Sequence, residues 1–314
     1  MNITNFTNLY NKKILITGAT GIVGFNLCKE LKKIPCEIHI NYLNDLDNNF
    51  KELDHSITHH KFDITNIEKI NNLPQFDIIF HCSGYGQPLK FTTDPEKTFL
   101  LNTVSLSHLL NKVRENGNFI FLSTSEIYAE SEDNNEDCKI TINPSNSRNC
   151  YILSKLFGET MLSLTSKKIN HKIIRLCLCY GPGFKNSDKR VLSEFIMKGV
   201  DKKEISLMDD GSDIRSYIYI DDCIEGILNI LSKGKHKLYN IGGKDLLTIY
   251  NLAELVSKNA NSIVKIGERK NKLKNSPNKA FVDITRYESE FGTLNKTSLN
   301  DGIKKCVDWY NNYE

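Results

Sequence analysis

The run Lys13-Ile-Leu-Ile-Thr-Gly-Ala-Thr-Gly-Ile-Val-Gly24 decides how the rest of the chain reads. Its opening residues predict a short buried strand over 13–17, and apolar residues at helical spacing predict a helix over Ile22 to Lys33. Between them stand Gly18, Gly21 and Gly24, with Thr20, Ile22 and Val23 completing the turn. Glycine lets a backbone bend sharply and approach a ligand, and the unpaired N–H groups of a helix start favour an anion such as a pyrophosphate. The spacing is Gly-x-x-Gly-x-x-Gly, not the Gly-x-Gly-x-x-Gly of the common dinucleotide fingerprint. Taken alone it leaves a tight turn without a ligand as the alternative.

Outward from that turn, strand-like runs (Glu37 to Tyr42, Ile57 to Phe62, Asp77 to Cys82, Asn118 to Ser123, His171 to Cys177) alternate with helix-like ones near Ile64 to Asn71, Pro95 to Glu115 and Cys150 to Lys168. Strict alternation predicts an α/β fold, a Rossmann-type doubly wound parallel sheet covered on both faces. After Tyr180 the rhythm changes to turns and shorter elements, with a helix from Asp221 and one more strand at Leu238 to Ile241. The expected division is a dinucleotide-binding domain over 1–180 with a return segment at about 217–243, and a smaller α/β substrate-binding lobe from 181–216 and 244–314.

The bulk composition excludes several classes. With 41 basic and 38 acidic residues the net charge is +3, and the lysines are scattered, so nucleic-acid binding has no electrostatic basis. No apolar run approaches the roughly 20 residues that span a bilayer, and Met1-Asn-Ile-Thr-Asn-Phe6 lacks the pattern of a signal peptide. The expected location is the cytoplasm, with no membrane partner. Nine cysteines, an odd number, several of them inside strand-like or helix-like runs, read as reduced and buried.

The end of the second strand offers Asn41 to a ribose hydroxyl. No Arg or Lys lies between Ile38 and Asn44 to receive a 2′-phosphate, which favours NAD over NADP. Asp63, followed by Ile64, can accept from an adenine amino group or cap a helix. Far downstream, Tyr151 and Lys155 stand one helical turn apart. A free tyrosine has a pKa near 10, so a nearby ammonium and a positive nicotinamide are needed to favour its phenolate. Leu122-Ser-Thr-Ser-Glu-Ile-Tyr128 sets Thr124, Ser125 and Glu126 at the carboxyl edge of the sheet, where such folds bind ligands. The expected chemistry has Tyr151 take a hydroxyl proton, Thr124 hydrogen-bond the same oxygen, and a hydride pass to NAD.

In these residues the chain resembles the extended short-chain dehydrogenase/reductases of the NAD-dependent epimerase/dehydratase family, over nearly its whole length. The same resemblance includes His81-Cys-Ser-Gly84, Leu101-Asn-Thr103, Arg175-Leu-Cys-Leu-Cys-Tyr-Gly-Pro182, Arg215-Ser-Tyr-Ile-Tyr-Ile-Asp-Asp222 and Tyr239-Asn-Ile-Gly-Gly243. It implies that Cys82, Ser83 and Asn102 border the cofactor, that Thr124, Tyr151 and Lys155 are catalytic, and that the lobe takes a nucleotide sugar whose C4 hydroxyl is oxidised first. It further implies a homodimer packed through the helices after the fourth and fifth strands. Ser125, Arg190 and Arg215 are the expected substrate contacts, the arginines because a planar guanidinium grips phosphate oxygens in pairs. A surface salt bridge is the plain alternative for either arginine.

Glu126 bears on which member this is. Thr124-Ser-Glu126 is similar to the triplet of UDP-glucuronate decarboxylases and GDP-mannose 4,6-dehydratases, and Asn143-Pro…Arg148-Asn-Cys-Tyr151 is similar to the decarboxylases. A carboxylate here can abstract a proton beside a C4 ketone or position a sugar hydroxyl. Two departures stand out: Leu178 replaces an expected substrate-holding asparagine, and Leu156-Phe157 follow Lys155 where a basic residue is common. The expected function is NAD-dependent oxidation of a nucleotide sugar to its 4-keto form, supporting bacterial surface-glycan precursor synthesis. Net dehydration, epimerisation or decarboxylation remain open, as does a non-catalytic NAD-binding sensor or scaffold. His55, His59 and His60 fall in a polar loop without partners at ligand spacing, and no metal site is expected.

Overall fold

The computed structural model describes residues 3–46, 50, 56–267 and 277–312. Seven strands form one sheet: β1 (Lys13–Thr17), β2 (Glu37–Tyr42), β3 (Ile57–Lys61), β4 (Phe76–His81), β5 (Val113–Thr124), β6 (Asn170–Leu176) and β7 (Leu238–Ile241). Their spatial order is β7-β6-β5-β4-β1-β2-β3, and every pair is parallel. The chain turns one way after β1 and the other way from β4. The crevice outside the carboxyl ends of β1 and β4 is therefore the switch point at which doubly wound sheets bind ligands. Register brings Thr17 beside Asn41 on one side and His81 on the other.

A sheet covered on both faces needs apolar side chains pointing both ways, which explains the near-continuous hydrophobic strands. Ile14, Ile16, Ile78, Phe80 and Ile120 bury into one layer. Leu15, Ile79, Phe119, Phe121 and Ile173 bury into the other. Each fully buried side chain of this size stabilises by roughly 1.5–3 kcal/mol.

Three local expectations are corrected. The helix expected from Pro95 to Glu115 is two, Pro95–Asn102 and Val104–Leu110, interrupted at Thr103 with φ −125° and ψ −72°. Thr103 donates its hydroxyl to the Phe99 carbonyl at 2.7 Å, a side-chain bond that competes with helical continuation. β5 begins at Val113, because a register shift between Phe76 and Ile78 and a left-handed Asn116 (φ 61°) carry the polar Arg114–Gly117 stretch into the strand. Of the two expectations for His59 and His60, the strand over Ile57 to Phe62 holds and the polar loop does not: both lie within β3, where the His60 Nε2 meets His39 Nδ1 at 2.8 Å. His55 falls outside the described residues.

The remaining elements are small sheets and helices. Leu178–Tyr180 pairs with Tyr217–Tyr219, and Ile214–Arg215 lies between Leu247–Thr248 and Lys279–Ala280. The helices Val191–Asp201, Ile249–Ala260 and Leu299–Asn311 pack together beside them. The last is pinned by Trp309 and Tyr310, whose rings lie 4.9 and 5.7 Å from Phe184. Among the described residues no helix is long and apolar enough to cross a membrane, and no group of three potential ligands is placed to hold a metal.

Candidate active site

The three turn glycines do different jobs. Gly18 has φ +63°, and a Cβ there would lie 2.7 Å from the Ser83 nitrogen and 2.9 Å from the Cys82 carbonyl carbon. A Cβ on Gly24 would lie 2.6 Å from the Gly18 oxygen, so both glycines let backbone pack on backbone. Gly21 has an ordinary extended backbone, and a Cβ there would meet only the Gly18 oxygen, at 3.3 Å. The protein's own packing demands a glycine at 21 less than at 18 or 24, which fits a place for a pyrophosphate to approach the turn. Gly21 is also the N-cap of the helix Ile22–Leu31 and has no side-chain cap bond, which leaves the first N–H groups for an anion. The turn fits NAD. We expect Gly18→Ala to lower the unfolding temperature by several degrees, since strain and backbone overlap together cost roughly 2–5 kcal/mol. Gly21→Ala should leave unfolding unchanged and weaken NAD binding at least about tenfold, read by calorimetric titration; equal effects at both positions would contradict these roles.

At the switch point a buried network ties the sheet ends together. His81 Nδ1 lies 2.8 Å from Thr17 Oγ1, and its Nε2 lies 3.0 Å from the Leu101 carbonyl oxygen. Burial, aided by Lys155, pushes His81 down to about 3. The neutral ring therefore donates through Nε2 and accepts the Thr17 hydroxyl, while the Ser83 N–H donates to Thr17 Oγ1 at 3.3 Å. This seats Cys82 and Ser83 against Gly18. Asn102 donates to Thr98 O and Ser154 Oγ at 2.9 and 3.0 Å, but its Oδ1 is buried without a partner among the described residues. A buried unpaired oxygen beside this crevice fits a polar group of a cofactor.

The adenosine end differs from expectation in detail. The Asn41 amide donates to the His60 and Phe62 carbonyls at 3.1 and 3.0 Å, so only its oxygen remains for a ribose hydroxyl. Asp63 pairs with Lys97 at 2.6 Å and accepts from Thr65. Burial raises its carboxyl, but the bonds from Lys97 and Thr65 outweigh this and hold it below the usual range. The helix Ile67–Asn71 is capped by Asn66, not Asp63. Ile64 is buried beneath.

Thr124 closes β5 and its Oγ1 accepts from the Glu126 N–H at 3.2 Å, starting the 3-10 turn Ser125–Tyr128. Ser125 is buried in that turn. Tyr151 rises from the helix Asn149–Leu164, has its phenol beside the Thr124 hydroxyl and stacks on Phe91 with ring centroids 4.8 Å apart. Burial and the Glu126 charge push its phenol up, while the Thr124 bond and Arg148 act the other way. Lys155 is also buried and brought down to about 7 by desolvation, with Cys82 and Glu159 opposing. Its Nζ donates to the Leu122 carbonyl at 2.6 Å and lies 5.9 Å from the Tyr151 ring centroid. Arg148, one turn before Tyr151, also lowers the phenol, while Lys155 Nζ is bonded to the strand carbonyl.

Glu126 and Arg148 form an ion pair, Oε1 to Nη2, at 2.9 Å. Burial raises the Glu126 carboxyl against the opposing pull of Arg148 and, more weakly, Arg215. Glu126 Oε2 and Arg148 Nε are shut from solvent and unpartnered among the described residues. Leaving such groups unpaired costs roughly 1–3 kcal/mol each, which fits a place for a polar ligand. Beside the pair is a cavity of about 220 Å³ lined in part by Glu130, Asn146, Arg148 and Asn149. Arg190 is engaged by Asp188 (Nε to Oδ2 2.9 Å) and by the Cys179 carbonyl, and Arg215 by Asp213 at 3.4 Å and the Ile214 carbonyl. Both arginines act on the Tyr217 phenol, whose strand pairs with Leu178–Tyr180. Thr17, His81 and Arg148 stand inside motifs quoted from the sequence, but sequence reasoning gave none of them a role at the site.

A sequence model of the NAD dependent epimerase/dehydratase family matches residues 14–242, from the first strand through Gly242. The chain belongs to this family. Family membership makes the protein an enzyme with NAD as its cofactor. Among curated proteins it is similar to UDP-glucuronic acid decarboxylase 1 of Danio rerio, 26% identical over 95% of this chain and 72% of the relative. It is similar also to UDP-glucuronic acid decarboxylase 4 of Arabidopsis thaliana, 27% identical over 94% and 68%. Its fold is that of UDP-glucose 4-epimerase from Thermotoga maritima, solved with UDP-glucose (TM-score 0.82, 21% identity, 96% and 99% covered). The dTDP-glucose 4,6-dehydratase of Streptomyces venezuelae, solved with NAD, gives TM-score 0.80 at 20% identity, with 95% and 97% covered. Epimerase/dehydratase enzymes of this extended short-chain type share the doubly wound sheet seen here.

Proposed function

We propose that the protein oxidises the C4 hydroxyl of a nucleotide-activated sugar to the 4-keto sugar. The observation that carries this is the Thr124 hydroxyl acting on the buried Tyr151 phenol at the carboxyl end of β5, with Lys155 on the next turn and the open glycine turn across the switch point. Residues 1–180 with 217–243 hold the cofactor, and 181–216 with 244–314 hold the sugar nucleotide. Tyr151 accepts the proton of the C4 hydroxyl while Thr124 fixes the same oxygen, and Arg148 favours the phenolate. NAD, when bound, supplies the hydride acceptor. Lys155 and the Asn102 oxygen face the cofactor side, and Arg215 the substrate pyrophosphate.

Glu126 then acts as the base beside the C4 ketone. The Danio rerio and Arabidopsis thaliana decarboxylase relatives support a uronate substrate, but Leu178 leaves the lobe wall without an amide to hold it. The test is incubation of the NAD-loaded enzyme with UDP-, GDP-, CDP- and dTDP-sugars and mass analysis of the products. A 4-keto sugar or its descendant is expected from at least one; an unaltered panel would refute the proposal.

The active unit is a homodimer in the cytoplasm. Phe99, Leu153, Phe157 and Leu164 are exposed on the neighbouring helices Pro95–Asn102 and Asn149–Leu164, with the Phe99 and Phe157 rings 6.2 Å apart. An apolar face of this kind marks an association surface. Phe157→Glu should turn a dimer into a monomer in sedimentation equilibrium, and a dimer that persists in the variant would move the interface elsewhere.

A further inference from the structure

Glu126 is ordered by something outside its own turn. Its Oε1 is bonded to Arg148 Nη2 at 2.9 Å, and both side chains are about four-fifths buried, at 20% and 18% exposure. The second oxygen, Oε2, has no partner among the described residues and no contact with solvent. Arg148 is itself fixed. Its backbone N–H donates to Asn146 Oδ1 at 3.1 Å, and its guanidinium lies 5.4 Å from the Phe91 ring centre. Phe91 in turn stacks on Tyr151 at 4.8 Å. The three groups Arg148, Phe91 and Tyr151 thus make one packed column, with the carboxylate clipped to its end.

We infer that Arg148 is a positioning residue that holds Glu126 ionised and immobile, with one oxygen occupied and the other kept as the proton acceptor for the carbon beside the C4 ketone. This rests on the function proposed above. In the step, the C–H bond beside the ketone breaks, its electron pair passes into an enolate delocalised onto the C4 oxygen, and the proton joins Glu126 Oε2. Reversal in deuterated solvent returns a deuteron to the same carbon. A buried carboxyl without a countercharge stays neutral and cannot be a base. The charged and titratable groups facing Glu126 are Arg148 and Tyr151 from the catalytic helix and Arg215 from the strand Ile214–Arg215, where Asp213 engages it. The strand Lys279–Ala280, also packed on this turn, contributes only the exposed Lys279. Of these, Arg148 bonds the carboxylate directly. Guanidinium suits the task because it stays charged at any working pH.

The test compares wild type, Arg148→Gln, Arg148→Lys and Glu126→Gln, each holding NAD, with UDP-glucose, UDP-glucuronic acid and dTDP-glucose as probes in deuterated buffer. The ratio of deuterium incorporated beside C4 to C4 oxidation is followed against pH. In wild type the ratio rises with pH as Glu126 ionises. Arg148→Gln should move that rise upward by about one pH unit or more, a tenfold lower ratio on the acid side, and Arg148→Lys should restore most of it. Infrared difference spectra against Glu126→Gln need no substrate: near neutral pH, Arg148→Gln should show a protonated carboxyl where wild type shows a carboxylate. A ratio that falls equally at every pH, or a Glu126 that stays ionised without Arg148, overturns the inference while leaving C4 oxidation standing. Wild type that oxidises none of the probes overturns the proposed function instead, and the infrared comparison then decides the ionisation role alone.

Discussion

Tyr151→Phe lowers turnover by about 10²–10⁴-fold and leaves NAD affinity within about threefold of wild type. The ring is retained, so its stacking on Phe91 at 4.8 Å and its place in the helix persist. Only the hydroxyl that meets Thr124 is lost. Because burial and Glu126 push the phenol up in the free protein, the proton transfer depends on charge that arrives with the ligands. The wild-type rate should therefore climb with pH until the phenolate forms in the complex, and the residual rate of the variant should lose that limb. Stopped-flow measurement of cofactor reduction checks both. Turnover undiminished in Tyr151→Phe would remove Tyr151 from the mechanism.

Arg175→Met carries the largest expected effect on stability. Arg175 Nη2 pairs with Glu159 Oε2 at 2.8 Å, its Nε donates to Oε1 at 3.2 Å, and its Nη1 donates to the Tyr128 hydroxyl at 2.8 Å. Tyr128 passes on to Asn240 at 2.8 Å, and Ser123 donates to Glu159 at 2.5 Å. The pair is more than nine-tenths buried. Removing the guanidinium leaves a buried carboxylate without its countercharge, which costs roughly 3–5 kcal/mol, so chemical denaturation should show a loss of that size. The double variant Arg175→Met/Glu159→Leu should recover most of it, since the isolated charge goes with its partner. A single-variant loss below about 1 kcal/mol would mean that the pair is not the anchor of the β5 and β6 ends.

What could be read from the sequence was carried by short-range signals. The strand and glycine turn at 13–24, the alternation that makes the parallel sheet, and the four-residue spacing of Tyr151 and Lys155 are all set by neighbours in the chain. Long-range partners were not legible. The Glu126–Arg148 bond joins residues 22 apart and Thr17–His81 residues 64 apart, and neither has a periodic signature. The start of β5 was missed because Arg114-Glu-Asn-Gly117 has loop composition, and only its pairing with β4 through a register shift makes it strand. Lys155 donates to the Leu122 carbonyl, 33 residues away in the chain, which four-residue spacing cannot foretell. Arg190 shows the reverse case: its partner Asp188 stands two residues away, close enough to have been anticipated.

The central claim is that hydride leaves C4 of a nucleotide sugar, with Tyr151 as the base. The most direct measurement uses nucleotide sugars deuterated at C4 and the NAD-loaded enzyme, with mass analysis of the cofactor after a single turnover. The account predicts that deuterium appears on the reduced cofactor in wild type and is lost with Tyr151→Phe. Label that stays on C4 with every sugar of the panel, or that transfers as well without the Tyr151 hydroxyl, would contradict it.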